Sequence, residues 1–181
     1  MSTFRFAIMG AGNIAHQFCD AVTLVEDCEV SAIASKDLGR AQKFAEECSV
    51  AHAYDNYEQM LIEEKPDCVY IAVTPNDHFR LTMLCLEHRV PVLCEKAMFT
   101  NSAEAKAVFE KAEKDQTFVM EAMWSRFLPA VNQAKKWAAE GKIGRLEALQ
   151  GRIGFLAPEG ADNRYHSPLL CGGAATDITV Y

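Results

Sequence analysis

Between Phe4 and Glu121, short apolar, β-branched runs alternate with longer segments of helical period, the arrangement expected of βαβ units. Phe4–Met9 reads as a first strand and residues 13–24 as the helix behind it. Glu29–Ala34 reads as a second strand. A helix over Leu38–Cys48 follows, with Leu38, Ala41, Phe44, Ala45 and Cys48 on one face. A short strand near Ala51–Ala53 leads to a helix over Tyr57–Glu64, which stops before Pro66 because a residue preceding proline resists αR geometry. Cys68–Val73 is nearly continuous in apolar character, as a parallel strand covered on both faces must be. A helix over His78–His88, a strand over Pro91–Cys94, a helix over Ser102–Lys114 capped by Asn101 or Ser102, and a strand over Phe118–Glu121 complete the series. Six strands with crossover helices predict a doubly wound parallel α/β sheet.

The pattern changes after about residue 125. Pro129–Glu140 is helical, Gly141–Gly144 is a turn, and Arg145–Leu156 is an extended stretch longer than any strand before it. Residues 157–168 are loop-like, and Gly172 begins a further helical segment. A long strand without later partner strands exposes unpaired edges. The expected division is therefore a doubly wound α/β domain over 1–124, followed over 125–181 by the incomplete beginning of a second domain.

The candidate chemistry begins at Gly10-Ala11-Gly12-Asn13-Ile14-Ala15, directly after the first strand and at the opening of the first helix. The first glycine permits the tight turn, the second lets backbone approach a pyrophosphate, and Ala15 supplies the small residue needed for helix–strand packing. A pyrophosphate then meets unpaired N–H groups and the positive end of a helix dipole, with Gly10, Gly12, Asn13 and Ile14 as its contacts. The end of the second strand bears on which dinucleotide binds. Ser35, Lys36 and Arg40 suit a ribose 2′-phosphate better than the bare hydroxyl that an acidic residue would accept from, which favours NADP over NAD. Asp37 is the counterweight, since a one-residue slip sets it against the ribose.

Later motifs narrow the reading. Thr74-Pro75-Asn76, Val92-Leu93-Cys94-Glu95-Lys96, Met120 to Pro129 and Gly172-Gly173-Ala174 with Asp177 and Tyr181 occur in that order. Together with Gly10–Ala15 they resemble the glucose–fructose oxidoreductase/inositol dehydrogenase (Gfo/Idh/MocA) family. The likeness is greatest to its dihydrodiol and NADP-dependent xylose dehydrogenase branch. The resemblance implies a nicotinamide cofactor, with Thr74, Pro75, Asn76, His78, Glu95 and Lys96 beside it. It also implies Asp177 and Tyr181 toward the substrate, and Trp124 and Arg126 at the substrate's border. Ala97 follows Lys96 where the family has proline, and Cys171-Gly-Gly-Ala-Ala-Thr-Asp stands where the family usually shows a third glycine and bulkier apolar residues before the aspartate.

Oxidising a secondary alcohol requires an acid–base group beside the cofactor. Tyrosine in free solution holds its proton to about pH 10, and a neighbouring ammonium favours the phenolate. Tyr181 is therefore read as proton acceptor, Lys96 as its electrostatic partner and Asp177 as the anchor of the substrate hydroxyl. Spacing of four puts Asp177 and Tyr181 on one helix face. The implied activity is that of an NAD(P)-dependent dehydrogenase acting on a sugar, polyol or diol. The competing readings are an NAD(P)-binding regulator and a catalytically inactive fragment of such an enzyme.

Composition trims the alternatives. A formal charge of −7 disfavours nucleic acid, whose phosphates need clustered Lys and Arg. No apolar run reaches the roughly 20 residues that a membrane helix needs, and the amino-terminal residues read straight into a strand, so a cytoplasmic address is expected. The seven cysteines never adopt Cys-x-x-Cys spacing and read as reduced, with no zinc site. The family resemblance further implies that 1–124 is a dinucleotide-binding Rossmann domain, that 125–181 is the incomplete beginning of an α+β substrate and dimerisation domain, and that the parent enzyme is a homo-oligomer through the sheet that this chain lacks.

Overall fold

The computed structural model describes residues 3–160 and 163–181. Six strands form one parallel sheet: β1 (Phe4–Met9), β2 (Cys28–Ala34), β3 (His52–Tyr54), β4 (Cys68–Ile71), β5 (Val92–Glu95) and β6 (Val119–Ala122), in the order β3-β2-β1-β4-β5-β6. Helices α1 (Asn13–Val22), α2 (Leu38–Cys48), α3 (Tyr57–Glu64), α4 (Pro75–Glu87) and α5 (Ser102–Asp115) make the crossovers. The expected doubly wound sheet is present, with its strand order reversing between β1 and β4. A crevice opens at that reversal, at the carboxyl ends of the strands.

Alternation within the buried strands builds two cores at once. Ala7 and Met9 of β1, with Val69 and Ile71 of β4, face a cluster that includes Leu81, Cys85 and Val92. Ile8 and Tyr70, on the opposite side of the same strands, pack with Ala15, Ile33 and Phe44. β4 is buried at every position, which is why its sequence shows an apolar run instead of alternation.

Local chemistry sets the helix boundaries. The side chains of Asp37, Asn56 and Asn101 accept from the backbone N–H groups of Arg40, Gln59 and Glu104, capping α2, α3 and α5. Ser49, Lys65 and Gln116 take left-handed geometry where these three helices end. α4 begins at Pro75, three residues before the predicted start at His78, because proline is pre-organised for the first helical position.

Beyond β6 come a 3₁₀ turn over Trp124–Phe127 and α6 (Pro129–Ala139), which buries no residue. The extended stretch expected over Arg145–Leu156 pairs with no strand among the described residues, and its side chains are exposed. A strand needs a partner's ladder, and none is present here. The chain then returns to the sheet's carboxyl end through a 3₁₀ turn (Pro168–Leu170) and α7 (Ala174–Asp177). α7 ends at Asp177, so Asp177 and Tyr181 do not share a helix face as their spacing suggested. Gly172 sits where the returning segment folds on itself: a Cβ there would lie 2.5 Å from the Arg164 carbonyl oxygen. No helix among the described residues is long and apolar enough to cross a membrane.

Candidate functional site

A cleft of about 760 Å³ lies over the carboxyl ends of β1, β2, β4 and β5. The turn after β1 forms its floor. Gly10 has φ +109°, and a Cβ there would meet the Ala72 carbonyl oxygen at 2.7 Å, so only glycine fits. Gly12 is the N-cap of α1 and offers no side-chain acceptor. The first amides of α1 and its dipole are therefore directed at the cleft without a built-in anion, whereas α2, α3 and α5 are capped by side chains. α4 resembles α1: Thr74 makes no side-chain cap and Pro75 occupies its first turn.

Ser35, Lys36 and Arg40 line the cleft beyond the end of β2. Ser35 is buried, and its Oγ accepts from the Asp37 backbone N–H at 3.5 Å. The Asp37 carboxylate accepts from Arg40 N at 2.8 Å and is thereby committed to the α2 cap. It does not line the cleft, whereas its neighbours Ser35, Lys36 and Arg40 do. Lys36 Nζ donates to Asp77 Oδ2 at 2.5 Å, and Arg80 Nε donates to Asp77 Oδ1 at 3.4 Å. Burial opposes ionisation of Asp77, but the two cations outweigh it and hold its carboxyl below the usual carboxylate range.

At the other end of the cleft stands Lys96. Its ammonium donates to Asp177 Oδ1 at 2.8 Å and to the Asp177 carbonyl at 2.6 Å. Lys96 Nζ also lies 5.0 Å from the centroid of the Tyr181 ring, over its negative face. The Tyr181 hydroxyl oxygen accepts from Trp124 Nε1 at 2.7 Å. Lys96, Asp177, Tyr181 and Trp124 thus converge from β5, α7, the chain's last residue and the 3₁₀ turn after β6. The ammonium is paired with the carboxylate, and meets the tyrosine through its ring instead of its oxygen.

The turn that carries Lys96 is braced from several sides. Glu95 accepts from the Tyr70 hydroxyl at 2.7 Å and from the Lys96 N–H at 3.2 Å. Burial pushes the Tyr70 hydroxyl well above its ordinary pKa, helped by the Glu95 carboxylate. Glu121 Oε1 accepts from Met98 N at 2.9 Å, a support that reasoning on the sequence missed. The Lys96–Ala97 peptide is cis.

His78, expected beside the cofactor, is fully buried and does not line the cleft. Its Nε2 is 3.0 Å from the Val73 carbonyl oxygen, and its Nδ1 is 3.0 Å from that of Ala97. The ring ties the loop after β4 to the Lys96 turn, and burial pushes its pKa down against the pull of those carbonyls. With α4 starting at Pro75, His78 is turned inward. Asn76 is exposed in the first turn of α4 and Arg126 is exposed in the 3₁₀ turn, and neither lines the cleft. Of the other expected residues, Gly10, Gly12, Asn13, Ile14, Ser35, Lys36, Arg40, Thr74, Pro75, Glu95, Lys96, Trp124, Asp177 and Tyr181 all line it. Asp77, Tyr57 and Arg164 line it unforeseen. The signal for Asp77 was its place directly after Thr74-Pro75-Asn76; nothing marked Arg164. No group of three or more His, Cys, Asp or Glu able to hold a metal occurs among the described residues.

A doubly wound sheet with a glycine turn and an uncapped helix at its reversal defines a nucleotide-binding protein of the α/β class. Residues 4–123 match the model of an oxidoreductase family with an NAD-binding Rossmann fold, and the chain belongs to that family. It is 36% identical over 98% of its length to the trans-1,2-dihydrobenzene-1,2-diol dehydrogenase of Mus musculus, and 34% identical to that of Sus scrofa. The chain spans 53% of each of these two relatives. Among solved structures, an NAD-binding protein from Listeria innocua is similar with a TM-score of 0.87, at 22% identity, over 99% of this chain and 52% of that one. A variant of a 3-ketoreductase from Actinomadura kijaniata, solved with TDP-benzene and NADP, has a TM-score of 0.74 at 26% identity, over 80% of this chain and 44% of that one.

Proposed function

We propose that the chain holds NADP in this cleft, with NAD as a weaker alternative, and that the protein it represents is a dehydrogenase acting on a CH–OH group of a sugar, polyol or diol. The observation that carries the reading is the continuity of one cleft. It runs from Lys36 and Arg40, past the uncapped start of α1, to Lys96, Asp177 and Tyr181. The residues suit the group: backbone approaches closely at Gly10, α1 brings no anion of its own, and two cations stand where a 2′-phosphate would lie. Gly10 to Ile14 would hold the pyrophosphate and Ser35, Lys36 and Arg40 the ribose phosphate, with Thr74, Pro75 and Glu95 along the wall.

A nicotinamide, when bound, supplies the hydride acceptor or donor, and the protein's part is orientation and proton transfer. Indole is a donor only, so Tyr181 engages Trp124 through an oxygen lone pair and keeps its own O–H for a substrate. As the phenolate, Tyr181 accepts the alcohol proton at its oxygen during oxidation, and as the phenol it returns that proton during reduction; the Lys96 ammonium lies against its ring. Asp177, fixed by Lys96, has a second carboxylate oxygen with which to accept from a substrate hydroxyl. Trp124 borders the substrate.

In this reading residues 1–124 form the cofactor domain and residues 125–181 open a substrate domain, whose sheet in the whole protein joins copies into a homo-oligomer. The seven cysteines are unpaired, which suits the reducing cytoplasm. The protein works on small molecules and does not require nucleic acid or membrane. The test is NADP reduction with a panel of sugars, polyols and diols in the whole protein, beside Tyr181→Phe. Turnover lost in Tyr181→Phe with NADPH binding retained supports the assignment, and undiminished turnover overturns it. NADP binding without turnover on any substrate would make the protein a nucleotide-responsive regulator instead.

A further inference from the structure

The Lys36–Asp77 pair spans the mouth of the cleft, joining the loop after β2 to the first turn of α4. Both residues line the cleft where the preceding reading puts the ribose phosphate, and the inference rests on that reading. Lys36 is mostly exposed, whereas the Asp77 carboxylate is largely covered, so the carboxylate is the fixed partner and the lysine the mobile one. Beside them, Arg40 reaches only the Ala11 carbonyl, at 3.4 Å, and has no carboxylate partner among the described residues.

We propose that Asp77 is a selectivity determinant that competes with the cofactor's 2′-phosphate for Lys36. A 2′-phosphate draws Lys36 away from Asp77, so the affinity for NADP is reduced by the strength of the pair that must open. A cofactor with a bare 2′-hydroxyl leaves the pair closed and is bound with no such loss. Asp77 therefore narrows the preference for NADP over NAD that Lys36 and Arg40 create. The exchange is feasible because Arg80 stays on Asp77 Oδ1 and keeps the carboxylate neutralised when Lys36 leaves. The two cations divide the work: Arg40 is always available to phosphate, while Lys36 is available only after Asp77 releases it.

The experiment is a titration of the full 181-residue chain with NADPH and NADH, followed by nicotinamide fluorescence, for the unmodified protein, Asp77→Asn, Asp77→Ser, Lys36→Ala and Lys36→Ala/Asp77→Asn. Opening a partly exposed ion pair is worth a factor of about five in affinity. Asp77→Asn is expected to tighten NADPH by about that factor and leave NADH unchanged, with Asp77→Ser agreeing. The gain is expected to vanish in the Lys36→Ala background, because Asp77 acts through the lysine. Unchanged or weakened NADPH binding in both Asp77 variants overturns the inference while the functional reading survives, provided Lys36→Ala still weakens NADPH. A gain that persists without Lys36 also overturns it. Failure of the unmodified chain to bind either cofactor removes the functional reading, and this inference with it.

Discussion

The sheet built by residues 4–122 and the stretch from 125 to 160 contain similar apolar side chains that meet opposite fates. Ile8, Ile33, Ile71 and Val92 are wholly buried, whereas Leu149 is 89% and Leu156 97% exposed. Sequence pattern suggests strands in the sheet and over Arg145–Leu156 alike; what differs is the presence of a second face to bury against. In the first region each strand has at least one parallel neighbour, and the inner strands bury residues into cores on both faces of the sheet. In the second, the apolar side chains have no ladder to join among the described residues. Residues 163–181 show a third behaviour, attached to the sheet chiefly through polar contacts, Lys96 to Asp177 and Trp124 to Tyr181. An apolar run becomes a strand only when its partners are also encoded.

The sharpest way to break this contrast is to truncate one residue from each region. Ile71→Ala is expected to cost about 2–5 kcal/mol in urea denaturation, since a cavity is left in a close-packed core. Leu149→Ala should stay within about 0.5 kcal/mol. Equal effects would mean that the second region is packed after all. Next in size is Gly10→Ala, which forces a side chain into positive φ and against the Ala72 carbonyl. A loss of about 1–3 kcal/mol and of NADPH binding is expected. Gly160→Ala, also at positive φ but with open space around it, should leave NADPH binding intact.

A smaller effect is expected from Lys96→Met, which removes the ammonium joining the sheet to Asp177. Amide exchange should rise by a factor corresponding to about 1 kcal/mol in residues 174–181, with β4 and β5 unaffected. The smallest is a pH dependence. The folded pKa of His78 is lowered, so the unfolded chain binds the extra proton first; its contribution is complete above the free value of 6.5 and is lost as pH falls below it. His16 works in the opposite sense. The Gly12 carbonyl lifts its pKa, opposed by partial desolvation and aided by Glu47, so its contribution is complete below 6.5 and is lost as pH rises through the raised value. Urea midpoints across pH 5 to 8 for His78→Gln and His16→Gln should therefore change slope in opposite directions.

Much of the sheet was legible because each signal was local. Glycine at 10, proline at 66 and asparagine at 101 act on their own neighbours, and the all-buried β4 announces itself as an apolar run. The errors came where the deciding contact lay far along the chain. Pro75 moved the start of α4 back and turned His78 inward, toward carbonyls at positions 73 and 97. Asp177 and Tyr181 lie against Lys96 by way of a short helix and a turn instead of the continuous helix their spacing suggested. Asp77 drew no reading from the sequence, because the sheet brings Lys36 against it across 41 positions.

The measurement that tests the central claim most directly is the affinity of the chain for NADPH and NADH, with and without Lys36. Tighter binding of NADPH, with the preference removed by Lys36→Ala, is the predicted result. Failure to bind either cofactor, or a preference for NADH that Lys36→Ala leaves unmoved, would contradict it.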